Sequence, residues 1–115
     1  KPINLLEKEK DKKKIWRNTV NNELKGEYKK IFSLTDLIIF LKVPSFKHVF
    51  KWRLLQENKL KFSSKGRKIM NSKEIKNFVM YYERLTKHML KNLSKKANSV
   101  IKIDNQHRLK SIKFN

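Results

Sequence analysis

The chain contains no cysteine, which excludes disulfides and thiolate metal sites and fits a reducing compartment. Only two glycines occur, Gly26 and Gly66, 40 positions apart, so no G-x-x-x-x-G-K-[ST] phosphate cradle can be built from them. No apolar run approaches the ~18–20 residues that a membrane helix needs, and no signal-peptide pattern opens the chain. A cytoplasmic protein without a membrane partner is the resulting expectation. The three histidines, His48, His88 and His107, lack H-x-x-x-H spacing, so no metal site is expected of them. Acidic residues are scarce as well: ten Asp and Glu stand against 30 Lys and Arg, a net charge of +20.

Such an excess is the electrostatic footprint of polyanion binders. Its composition argues the other way. The basic residues are 25 lysines and five arginines, spread over the whole length. Phosphate and base recognition favours arginine, whose planar fork donates two parallel hydrogen bonds. Asn and Ile are also abundant, with 11 and 10 copies. AT-rich codons supply Lys, Asn and Ile together, and genome composition accounts for much of the charge. No specific nucleic-acid partner is expected.

A chain of 115 residues holds one small domain that buries roughly two-thirds of its extended surface. It opens Lys1-Pro2 without an initiator methionine, which makes a piece of a longer polypeptide the expectation. Glu7 to Lys25 reads as a single helix, with Trp16, Val20, Leu24 and Tyr28 four apart on one stripe. Gly26 ends or kinks it. Leu37 to Val43 (LIIFLKV) is short, apolar and β-branched, the pattern of a strand in a parallel sheet covered on both faces. Pro44 suits the start of the next helix, which carries Phe46, Val49, Phe50 and Leu54 inward and runs to about Leu60. Phe62 to Met70 is aperiodic and predicts a mobile loop. Asn71 with Glu74 three residues later is a capping-box pattern. The helix that follows keeps Ile75, Phe78, Val79, Tyr82, Leu85, Met89, Leu90 and Leu93 at 3–4 spacing. Val100 to Ile103 reads as a second strand and Arg108 to Phe114 as a terminal edge strand. Helix and strand order gives a helix-rich α/β fold with two or three short strands.

Particular stretches carry a family resemblance. WRLLQE at Trp52–Glu57, Gly66 and Met70, and FVMYYERLTKHML at Phe78–Leu90 resemble the C-terminal part of the D-glycerate 3-kinase family. These are P-loop kinases related in fold to uridine kinase and phosphoribulokinase. NLLEKEKD at Asn4–Asp11, WRNTVNNEL at Trp16–Leu24, Tyr28, Pro44 and the closing ANSVIKIDNQHRLKSI agree in order and spacing, so the resemblance covers nearly the whole chain. It implies that residues 1–115 are the C-terminal portion of a single kinase domain of three-layer fold, with a lid at about 53–72. The N-terminal P-loop half is absent. It further implies ATP and Mg2+, held mainly by that half, and a small hydroxy acid such as D-glycerate as acceptor. These residues alone would not phosphorylate it.

By analogy with those kinases, Arg53 is the fixed cation facing the phosphates and Arg67 a mobile one, both catalytic. Gln56, Lys68 and Arg84 contact phosphate or substrate, and Asp104 lies at the nucleotide edge. Phosphoryl transfer needs such cations because its transition state spreads negative charge over the transferred oxygens. Each residue also has an ordinary reading. Arg53 and Glu57 form an i, i+4 pair, worth ~0.3–0.5 kcal/mol if exposed. Arg67 and Arg84 are surface charges, Asp104 a turn or cap, Trp16 and Trp52 core aromatics, and Tyr82 a packing residue. Two other functions stay open: a basic nucleic-acid-binding module, and an inactive P-loop relative acting as a scaffold.

Overall fold

A computed structural model of the chain describes residues 1–63 and 68–115. The chain divides into two compact units, Lys1–Ile38 and Ile39–Asn115. The charge divides unequally between them. Positions 39–115 carry 20 Lys and Arg against four Asp and Glu, net +16, whereas positions 1–38 carry ten against six, net +4.

The first unit contains α1 (Leu5–Lys10), α2 (Ile15–Lys25) and α3 (Glu27–Ser33). The single helix expected over Glu7–Lys25 is therefore two, and Asp11 is the cause. Asn4 caps α1, its side chain accepting from Glu7 N at 3.0 Å. The Asp11 carboxylate then accepts the backbone N–H groups of Trp16 at 3.0 Å and Arg17 at 3.2 Å. Those donors have no partner inside α2, so the carboxylate does the work of a cap and favours a break over a continuous helix. Arg17 Nε adds a 2.7 Å contact to the same carboxylate, and Arg17 Nη2 donates to the Asp11 carbonyl at 2.7 Å. Lys14 takes a left-handed conformation (φ 60°) between the helices. Gly26 separates α2 from α3, as its position predicted.

The second unit is α/β. Its order is β1 (Ile39–Lys42), α4 (Phe46–Ser63), α5 (Ser72–Met80), α6 (Glu83–Asn92), a 3-10 turn at Leu93–Lys95, β2 (Ser99–Ile103) and β3 (Leu109–Phe114). The sheet runs β1-β2-β3, with β1 parallel to β2 and β2 antiparallel to β3. Parallel neighbours need a long crossover, and α4–α6 supply it. Phe40 and Val100 are register partners and both are buried. Together with Ile75 and Val79 of α5 and with Ala97 they form the apolar core. Complete burial of a side chain such as Ile75 contributes ~1.5–3 kcal/mol.

Three expectations need correction here. The strand at 37–43 is not buried on both faces. Ile39 and Leu41 are exposed, Leu41 by 58%, and so are their counterparts across the sheet, Ile112 and Phe114. The unit covers Phe40 and Val100 on one face of β1 and β2 and leaves Ile39, Leu41, Ile112 and Phe114 on the other face exposed. The long helix after Asn71 is also broken, because Tyr81 N and Tyr82 N turn to the carbonyls of Phe78 and Val79, tight bonds of 3-10 type that end α5. Tyr82 is exposed, with its ring against Phe78 at 5.3 Å, and of the predicted stripe only Ile75 and Val79 are buried. Finally, α4 runs to Ser63, so the start of the expected loop is helical; residues 64–67, including Arg67 and Gly66, lie outside the described residues. The Asn71–Glu74 capping box forms as expected, with Glu74 N to Asn71 Oδ1 at 2.9 Å and Asn71 N to Glu74 Oε2 at 2.8 Å.

Candidate functional site

Ligands of open α/β sheets bind beyond the carboxyl ends of the parallel strands. In the second unit that edge is formed by Val43-Pro44 after β1 and Asp104-Asn105-Gln106 after β2. A cleft of about 630 Å3 opens there, lined also by Lys42, Lys102 and Lys110. Lysines at three points around one small cleft favour an anionic occupant. Lys42 is held in place by donating to Ser94 Oγ at 3.0 Å.

Asp104 builds one wall of this cleft. Its Oδ1 accepts the backbone N–H groups of Gln106 at 2.8 Å and Arg108 at 2.9 Å, which closes the turn between β2 and β3. The Arg108 N–H bond, with help from the Gln106 N–H and the charges of Arg108 and Lys110, outweighs burial and holds this carboxyl below the usual range. Asp104 is therefore ionised throughout the physiological range and serves as a turn-builder, not as a proton donor or acceptor. The turn lifts His107 into a left-handed conformation (φ 67°). Its imidazole lies flat on the Trp52 indole, centroids 4.0 Å apart and planes 7° apart, while His48 meets the same indole edge-on at 5.7 Å.

A second cleft of about 580 Å3 lies between α4 and this turn, lined by Trp52, Arg53, Gln56, Lys59 and His107 among others. Val43 lines both clefts. Arg53 and Gln56, chosen from sequence, are thus brought together on one helix face. Arg53 Nη1 donates to Gln56 Oε1 at 3.0 Å and stands 2.8 Å from Glu57 Oε2. That second contact is an ion pair without hydrogen-bond geometry, since among the described residues no donor is aligned on Glu57 Oε2. The guanidinium also sits 5.7 Å from the centre of the Phe78 ring. The i, i+4 pair is therefore formed, but not on an exposed face: Glu57 is only 5% exposed.

The remaining sequence-derived residues lie apart. Arg84 is half-buried on α6, is engaged in interactions there and lines neither cleft. Lys68 is exposed and lines neither. Arg67 falls outside the described residues. Two residues that sequence reasoning passed over belong to the site. Glu57 was readable only as the partner of Arg53, and burial of a carboxylate leaves no trace in spacing. His107 carried no signal, because its role depends on a turn conformation. Among the described residues no His, Asp and Glu group could hold a metal ion, and no helix is long and apolar enough to cross a membrane. No family model, no curated protein and no solved structure matches this chain.

Proposed function

We propose that these 115 residues are the C-terminal portion of an ATP-dependent P-loop kinase that phosphorylates a small hydroxy acid such as D-glycerate, in a cytoplasmic setting. The observation that carries this reading is the lysine-lined cleft at the carboxyl edge of β1 and β2, with Arg53 on the adjoining helix. An edge of parallel strands, a cationic cleft and a helix presenting arginine beside it form the arrangement that phosphoryl transfer requires. The open face of the sheet supports it further, because parallel strands are stable chiefly with both faces covered, and the nucleotide-binding half of such a domain would supply that cover.

On this reading Arg53 stabilises charge on the transferred phosphoryl group, Gln56 and Lys68 assist in phosphate or substrate binding, and Arg67 is a second cation. Arg84 would act on the acceptor carboxylate, and the turn at Asp104 borders the nucleotide. The triphosphate cradle and the Mg2+ site come from sequence outside these residues. A metal ion held there would supply neutralisation of phosphate charge.

The test is ADP release by the full-length gene product, supplied with ATP, Mg2+ and D-glycerate or related hydroxy acids. Turnover that depends on the hydroxy acid is the expected result. A full-length product without a G-x-x-x-x-G-K-[ST] segment and without such turnover would remove this function.

A further inference from the structure

Glu57 is a buried carboxylate to which phosphoryl transfer assigns no step. We propose that Glu57 is the positioning residue of Arg53, fixing the guanidinium against α5; this rests on the kinase reading, in which Arg53 is the cation that meets phosphate. One carboxylate makes two connections. Oε2 stands 2.8 Å from Arg53 Nη1, and Oε1 accepts the backbone N–H of Met70 at 3.0 Å, 13 residues along the chain. Met70 immediately precedes the capping box that starts α5, and α5 carries Phe78, whose ring lies 5.7 Å from the Arg53 guanidinium. The same side chain therefore ties the cation of α4 to the helix that flanks it.

The chemistry explains why a carboxylate stands there. A free arginine side chain has a large rotamer entropy to lose, which any cation awaiting an anion must surrender on binding. Glu57 and Gln56 remove it beforehand. The guanidinium has five N–H donors, and this arrangement leaves donors for a phosphate oxygen. Glu57 itself accepts burial because Arg53 compensates its charge; without that cation the carboxylate would stand desolvated and unpaired. Glutamine at this position would keep an acceptor for Met70 N–H while removing the charge that holds Arg53.

The experiment compares the wild-type chain with Glu57→Gln and Glu57→Asp. Three readouts are taken by NMR: the Nε–Hε resonance of Arg53, hydrogen exchange at the Met70 amide, and a titration with inorganic triphosphate. In Glu57→Gln the Arg53 resonance should collapse to the averaged position of a mobile guanidinium, with Met70 protection and the core resonances of Val79 and Val100 retained. Triphosphate affinity at Arg53 should weaken about tenfold, the scale of one charge-assisted hydrogen bond. Glu57→Asp should restore part of the Arg53 order. An Arg53 resonance that stays dispersed in Glu57→Gln overturns the proposal, as does a loss of protection spread over the whole unit, which would make Glu57 merely structural. If instead triphosphate fails to move the Arg53 resonance even in the wild-type full-length product, where the cradle is proposed to lie, the kinase reading falls while the positioning result stands on the resonance itself.

Discussion

Trp52 and His107 are 55 positions apart and stack in nearly parallel planes at 4.0 Å, so the turn after β2 is fastened to the middle of α4. Aromatic pairs of this kind add about 0.5–1.5 kcal/mol beyond the area they bury. Replacing His107 by Ala should lower the stability of the second unit by an amount in that range. It should also change Trp52 fluorescence, read in a Trp16→Phe background so that Trp52 is the sole indole. Unchanged emission together with an unchanged unfolding midpoint would mean that the stack does not fasten the turn in solution.

Asp11 governs the first unit in a different way. Burial would raise its carboxyl, but the Arg17 side-chain bond, the Arg17 and Trp16 N–H groups and the Arg17 charge outweigh that and hold it below the ordinary range. A depressed folded value means stability that is fully present above the unfolded value, ~3.9 for Asp. It is lost as pH falls through the lower folded value. The α1–α2 corner should therefore open on acidification, with loss of helical circular dichroism. Asp11→Asn should be less stable at neutral pH and should lose most of this acid-dependent step. A variant with the same acid transition as wild type would show that Asp11 does not control it.

How much of this was legible beforehand follows from what each signal encodes. Local chemistry read well: Asn71 with Glu74 is a reciprocal cap in both sequence and structure, and Pro44 does precede α4. Strand existence read well too, including the edge strand at 109–114. Helix continuity did not. The 3–4 periodicity runs straight through Asp11 and through Tyr81-Tyr82, because apolar spacing does not report where a side chain or a 3-10 bond diverts the backbone. The apolar run at 37–43 indicated what the strand could bury on each face, and this chain covers only one. In the site, Arg53 and Gln56 were found as neighbours on a helix, whereas Glu57 and His107 depend on contacts across 13 and 55 positions that no local pattern encodes.

Arg53 offers a direct test of the proposed chemistry, provided the variant is chosen with its partner in mind. Arg53→Ala would strand Glu57 as a buried, uncompensated charge, and breaking such a pair costs roughly 3–5 kcal/mol. Lost activity would then be confounded with lost folding. Arg53→Lys keeps a cation beside Glu57 and removes the forked donors. In the full-length product it should leave folding within about 1 kcal/mol of wild type and, on the proposed kinase function, lower kcat by about one to two orders of magnitude, roughly 1.4 kcal/mol of barrier per order. Steady-state kinetics and thermal unfolding on the same samples separate the two. Wild-type kcat in the lysine variant would assign Arg53 to structure alone.

The open sheet face distinguishes a kinase portion from a self-sufficient basic module. Leu41 and Ile112 lie on one face of paired strands, with Phe114 beyond them 79% exposed, and in this chain that face meets solvent. A charge there has little to disrupt. Leu41→Glu and Ile112→Glu should change the stability of the 115-residue chain by no more than about 0.5 kcal/mol, the usual range for surface substitutions. In the full-length product the same positions should lie beneath a further layer, where an unpaired carboxylate costs several kcal/mol, on the order of 2–5. Chemical denaturation of both forms measures the difference. Equal, small effects in the two would mean that nothing covers this face in the longer protein, and the proposed three-layer fold would lose the support of the open face.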